Sequence, residues 1–156
     1  MRLFSTKKVF VFVLCFSCSI AFSQSFSPRF TYIGVREGLP HAIVNCVFQD
    51  SRGFIWIGTE SGLARYDGSS FKHYNSRTNT QLENDKIVNI DEDKEGNIWL
   101  GTKWGISCLY LKNDSIANYV PGNSKHNLPA GWCRVYISKE NVLWVGHDKG
   151  LSRFDD

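Results

Sequence analysis

The sequence is poor in most of what marks helical folds and enzymes. It holds one methionine and four prolines in 156 residues, and beyond residue 23 no 3.6-residue periodicity of useful length can be traced. Helices are therefore excluded as the main framework. Charge of one sign is also lacking. The formal net charge of +3 comes from Arg2, Lys7 and Lys8, and beyond them 15 basic residues stand against 15 acidic ones. Such a balance lacks the basic face on which nucleic-acid binding depends, so no nucleic-acid partner is expected. Past residue 23 only Cys46, Cys108 and Cys133 remain. An odd number at unrelated spacings makes neither a disulfide framework nor a zinc pattern. All three fall in predicted strands, where small buried thiols are common; one pair could still oxidise, and spacing does not choose it.

Catalytic patterns are missing as well. No Ser-His-Asp order, metal-spaced histidine cluster or isolated carboxylate pair stands out. No catalytic residue, metal ligand or cofactor is expected, although fold alone never excludes an enzyme. The acidic run Asp91, Glu92, Asp93 reads as a solvated strand end.

Aromatic residues at 14% and 13 glycines are abundant, which suggests many short strands closed by tight turns. The first 23 residues have the layout of a secretory signal peptide. Lys7-Lys8 precedes a short apolar run, and Ala21 and Ser23 supply small residues before a cut at Gln24. The run is shorter than the roughly 20 residues of a membrane span.

The chain then repeats itself. Asp50–Asp67 recurs from Asp93 and again from Ser138, marked by Trp56, Trp99 and Trp144 at spacings of 43 and 45 residues. Internal periods of this length point to propellers or solenoids. Each copy reads as four short antiparallel strands, the content of a propeller blade. The fold class expected is all-β, with about three blades of an incomplete propeller. The expected boundaries are 24–36 for an N-terminal closure strand, 37–75 for blade 1, 84–120 for blade 2 and 128–156 for blade 3, which lacks a fourth strand. In blade 1 the strands are expected at 43–49, 54–59, 63–66 and 71–74. In blade 2 they fall at 86–90, 97–102, 106–111 and 116–120, and in blade 3 at 132–137, 142–146 and 151–154.

The repeated residues have structural roles to fill. Each Trp has aliphatic neighbours on both sides, as suits a strand buried on both faces between two other blades. Trp56, Trp99 and Trp144 can each bury on the order of 200 Å² and are expected to dominate packing between blades. Gly58, Gly101 and Gly146 follow two residues later, where a side chain would crowd the approaching neighbour. Gly62, Gly105 and Gly150 permit the turn into the third strand. Asn141, in place of Gly53 and Gly96, is the next residue tolerant of the left-handed region.

The sequence Gly-Leu-Pro followed by Asp-x-x-Gly-x-Ile-Trp-Ile-Gly-Thr-x-x-Gly-Leu-x-x-Tyr resembles the two-component regulator propeller repeat of hybrid histidine kinases from Bacteroidetes. The resemblance covers Phe30–Asp156, with departures at Ser138, Asn141 and His147. It implies the amino-terminal part of a periplasmic sensor whose parent is a histidine kinase, although no kinase motif occurs in this chain. It also implies an oligosaccharide ligand, and as partners the remaining blades, the membrane and kinase parts of the parent, and a second copy in a homodimer. An open edge at blade 3 would leave the isolated chain oligomeric or poorly soluble. A secreted propeller acting as a binding scaffold or lyase is the alternative.

Ligand contacts are expected where the blades differ. The turns between second and third strands share an end of the blade with the loops entering each blade. These carry Glu60-Ser61, Lys103-Trp104 and Asp148-Lys149, with Pro40-His41, Asn84-Asp85-Lys86 and Ala130-Gly131-Trp132. Trp104 and Trp132 lead, because an exposed indole stacks on sugar rings and offers an N–H donor. Lys103, Glu60 and His41 accompany them. Arg134 and His147 are weaker candidates.

Overall fold

The computed structural model describes residues 27–77, 81–122 and 128–154. The expected signal peptide (1–23), residues 78–80 of the loop between blades 1 and 2, and Asp155-Asp156 lie outside the described residues. The chain divides into two units, Met1–Tyr32 and Ile33–Asp156. Of the first, residues 27–32 are described; they lack regular structure and expose Phe30 and Tyr32.

The closure strand expected within 24–36 is not formed over the part described. Residues 27–34 carry no regular structure, and Val35–Glu37 makes one 3-10 turn. Alternating hydrophobicity produces a strand only against a partner, and among the described residues none pairs here. Instead the Glu37 carboxylate accepts the Gly34 N–H (2.7 Å) and turns the chain toward buried Leu39.

Among the described residues, eleven strands follow in three antiparallel sheets. Blade 1 comprises β1 (Val44–Gln49), β2 (Ile55–Thr59), β3 (Gly62–Tyr66) and β4 (Phe71–Tyr74). Blade 2 comprises β5 (Ile87–Glu92), β6 (Ile98–Thr102), β7 (Gly105–Tyr110) and β8 (Ser115–Tyr119). Blade 3 has β9 (Cys133–Ile137), β10 (Leu143–His147) and β11 (Gly150–Arg153). Each strand pairs with its neighbour in sequence, as short turns enforce. Asn141 does adopt the left-handed conformation (φ 67°), as Gly53 and Gly96 do in the equivalent turns (φ 91° and 80°).

Registers make the copies superimposable. Trp56, Trp99 and Trp144 stand opposite Phe48, Asp91 and Tyr136. Because side chains alternate along a strand, each Trp and the Gly two residues on share the face that looks toward the next blade. Trp56 is fully buried in one core cluster with Leu63, Tyr74, Leu82, Ile87, Ile98 and Leu109, the junction of blades 1 and 2. Trp99 belongs to the second, with Ile106, Leu128, Cys133, Val135 and Val145. Trp144 is only half-buried, since among the described residues no blade covers it.

The glycines behave the same way. A Cβ on Gly58 would come within 2.7 Å of Ile87 Cγ2, and one on Gly101 within 3.0 Å of Arg134 Cα and closer still to the Cys133 carbonyl. At Gly146 the nearest such atom is 4.0 Å away. Leu39, Leu82 and Leu128 complete the pattern. Each lies five residues before its blade's first strand and is buried.

Carboxylates tie the repeat together in a way the strand pattern does not reveal. Asp50 accepts bonds from Arg52 N (3.0 Å), Phe54 N (2.9 Å) and the Trp56 indole N–H (2.9 Å). Asp93 likewise accepts from Asn97 N (2.8 Å) and the Trp99 indole (2.9 Å). In blade 3 Ser138 takes over only the turn, accepting from Val142 N (3.3 Å), and is too short to reach an indole.

The run Asp91–Asp93 is thus not a solvated strand end. Asp91 accepts Ile137 N from blade 3 (2.7 Å), and Glu92 accepts Ser51 N and Oγ from blade 1 (2.7 and 2.8 Å). Asn89 makes a two-way contact with Val135, donating to its carbonyl (2.7 Å) and accepting its N–H (2.9 Å). These side chains stitch neighbouring blades where no β-ladder joins them.

Candidate functional site

Each β2–β3 type of turn is locked from within, which leaves its tip free. Thr59 Oγ1 donates to the Gly62 carbonyl (2.8 Å) and accepts Ser61 N (3.1 Å). Thr102 repeats both bonds, to the Gly105 carbonyl (3.0 Å) and from Trp104 N (3.1 Å). In blade 3 His147 stands in for the threonine: its Nδ1 faces Lys149 N (3.2 Å) and its Nε2 contacts Ser152 Oγ (2.9 Å). His147 is therefore occupied in building the turn.

The tips meet the segments entering the blades, as expected from the meander. Glu60 N donates to the Ile43 carbonyl (3.3 Å), Gly62 N to Asp85 (2.8 Å) and Lys103 N to Lys86 (3.2 Å). One end of the blades thereby becomes a continuous surface. Across it runs a chain of charge contacts. The Glu60 carboxylate pairs with Lys86 Nζ (2.6 Å) and accepts from Asn45 Nδ2 (3.0 Å). Lys86 Nζ in turn lies 4.9 Å from the centre of the Trp132 ring, a cation–π distance. Lys86, supported by Asn45 and then His41, holds the Glu60 carboxyl below the usual carboxylate range.

Of the residues singled out from sequence, Glu60 and Trp132 are linked in this way through Lys86. Lys103 and Trp104 stand exposed at the next turn of the same end. His41 lies beside Glu60, its Nδ1 accepting Ile43 N (3.0 Å). Arg134 sits on β9 opposite Gly146, one pair in from this end of blade 3, and lines an open cavity of ≈ 560 Å³ with Tyr136, Trp144, Gly146 and Leu151. The sequence reading placed Lys86 on the shared loops without singling it out. Its signal was its equivalence to Trp132, since both directly precede a blade's first strand.

A second cavity of ≈ 640 Å³ lies at the junction of blades 2 and 3, lined in part by Trp99, Tyr110, Tyr119 and Phe154. At the first junction Leu109 and Ile116 of β7 and β8 fill the corresponding space. Phe154 takes the place of Leu109 here, and the described residues hold no counterpart of Ile116. The three thiols are free, and burial pushes Cys46 up to about 11 and Cys108 up to about 12, which leaves them poor nucleophiles. Among the described residues no cluster of His, Cys, Asp and Glu could hold a metal, and no helix is long and apolar enough to cross a membrane.

Comparison with known proteins agrees with this geometry. The family described as two component regulator propeller matches residues 38–61 and 81–104, which are the Gly-Leu-Pro loop and first two strands of blade 1 and the same part of blade 2. Histidine kinase P4 of Formosa agariphila is 32% identical over 75 residues, covering 44% of this chain and 6% of the relative. Among solved structures, the extracellular domain of a protein described as a hybrid two component system of B. thetaiotaomicron has a TM-score of 0.68 at 26% identity. That match covers 79% of this chain and 17% of the other. Virginiamycin B lyase from Staphylococcus aureus, at 16% identity and a TM-score of 0.56 over 85% of this chain and 47% of its own, shares the fold alone. The chain thus spans a small fraction of the relatives it resembles. Its all-β blades and their repeated Asp-to-Trp framework are similar to those of two component regulator propeller proteins.

Proposed function

We propose that this chain is part of the extracytoplasmic sensor of a hybrid two-component histidine kinase, and that its open blade end binds an oligosaccharide in the periplasm. The chain itself binds and does not catalyse; phosphotransfer belongs to the parent. The observation that carries the reading is the line Glu60–Lys86–Trp132 beside exposed Lys103 and Trp104. Framework positions repeat from blade to blade, while these change, and they combine flat indoles with charged donors and acceptors. Sugars are recognised by that combination: an aromatic face for the C–H side of the ring and fixed polar groups for the hydroxyls.

The test is calorimetric titration of the complete sensor region with candidate oligosaccharides. Trp104→Ala and Trp132→Ala are each expected to weaken binding by about tenfold or more, the loss of roughly 1.4 kcal/mol, without lowering the melting temperature. Unchanged affinity in both variants removes the site.

A further inference from the structure

Each blade presents two stations at the end that carries the candidate site, a turn tip and the residue directly before its first strand. In blades 1 and 2 a backbone bond joins them, from Glu60 N to the Ile43 carbonyl (3.3 Å) and from Lys103 N to the Lys86 carbonyl (3.2 Å). Across the junction of blades 1 and 2, the tip Glu60 meets the entry residue Lys86 as a carboxylate–ammonium pair (2.6 Å). Across the junction of blades 2 and 3 the equivalent stations hold Lys103 and Trp132. A cation therefore stands where its counterpart is an acid, and among the described residues no ion pair reaches it. The acids nearby are committed elsewhere. The Asp85 carboxylate accepts Ser76 N and Oγ (2.7 and 2.8 Å), Asp148 lies against Gly131, and Glu60 belongs to Lys86. Trp104, the residue after Lys103, is 49% exposed. Blade 2 has a neighbour on each side, so the exposure of Lys103 and Trp104 is not set by what adjoins blades 1 and 3.

We infer that the oligosaccharide taken at this end is an acidic one, with a carboxylate or sulfate group seated on Lys103 beside Trp104. The inference rests on the sugar-binding reading above and narrows its ligand class. The Glu60–Lys86 pair is the template. It shows how an oxyanion is received here, on a lysine ammonium that borders an indole, with the Asn45 side-chain amide as a second donor at 3.0 Å. At Lys103 the described chain supplies the ammonium and not the oxyanion. An ammonium is a compact charge with three donors on a flexible stem, which suits it to either anion. An acidic sugar gains a charge-assisted hydrogen bond there, and a neutral one does not. Because Lys103 is exposed, salt should screen that gain.

Calorimetric titration of the complete sensor region with matched pairs of oligosaccharides tests this. Uronate oligomers are compared with their methyl esters, and sulfated galactan oligomers with the same chains desulfated. The charged member of a bound pair is expected to bind about tenfold tighter or more, by a margin that shrinks as salt is raised. Which pair shows the margin identifies the anion. Lys103→Gln should remove the margin and Lys103→Arg should keep it. The side chain is exposed, so the circular dichroism melt of both variants should be unchanged. Equal binding of charged and neutral members overturns the charge assignment and leaves the sugar reading standing, as does binding confined to neutral members. A margin that survives Lys103→Gln overturns the placement at Lys103. Binding of no member overturns both the inference and the reading beneath it.

Discussion

A methyl group added at Gly101 should destabilise the fold, and the same methyl added at Gly146 should not. The backbone at both positions lies outside the left-handed region, so alanine brings no conformational strain. Only the neighbour differs. At Gly101 the new Cβ would run into the Cys133 carbonyl, Arg134 Cα at 3.0 Å and the Asn89 side-chain oxygen. Two of these belong to the backbone of the next blade and cannot rotate away. Overpacking of this kind costs about 1–3 kcal/mol. Displacing Asn89 also endangers its two bonds to Val135, worth about 1 kcal/mol each. With both bonds lost the sum is about 3–5 kcal/mol, a fall in melting temperature on the order of 10 °C for a domain of this size. At Gly146, with 4.0 Å of clearance, the effect should stay within about 0.5 kcal/mol. Thermal unfolding followed by far-ultraviolet circular dichroism compares the two. Equal shifts for Gly101→Ala and Gly146→Ala would refute the idea that these glycines exist to admit the adjoining blade.

Two further outcomes follow from the carboxylates. Asp50→Ala leaves the fully buried Trp56 indole N–H without its acceptor and frees two turn amides, so denaturant melts should show a loss of about 3 kcal/mol. Ser138→Ala, which touches no indole, should cost under about 1 kcal/mol. The Glu60 carboxyl, held low chiefly by Lys86, should titrate by NMR below its ordinary 4.5. Its link to Lys86 is then complete above that pH and lost as pH falls through the lowered value. Lys86→Met should move the titration back up toward 4.5; an unmoved midpoint would show that the pair does not set it.

The fold was largely legible because its signals are local. Short β-rich runs, the Asp-to-Gly turns and the repeated Trp placed nearly every strand within one or two residues. What the sequence reading missed depends on distant partners. The segment before Gly34 has the alternation of a strand, but the described structure offers it nothing to pair with. Asp91 and Glu92 look like surface charge until the N–H groups of Ile137 and Ser51, 46 and 41 residues away, come to rest against them. At the candidate site the varying turn tips were apparent from the alignment of the copies with one another. The role of Lys86 was not, because a lysine before a strand gives no hint that a glutamate and an indole will flank it.

The stitching of each blade to its immediate neighbours has a consequence for how the array opens. Asn89 and Asp91 grip blade 3, Glu92 grips blade 1, and no such bond links blades 1 and 3 among those found between described residues. Stability then propagates as nearest-neighbour coupling along a line, the behaviour of a one-dimensional lattice. Among the described residues, blades 1 and 3 each have one such coupling and blade 2 has two. In the 156-residue chain on its own, fluctuations should therefore start at blades 1 and 3, with the amides of β6 and β7 the last to exchange with solvent.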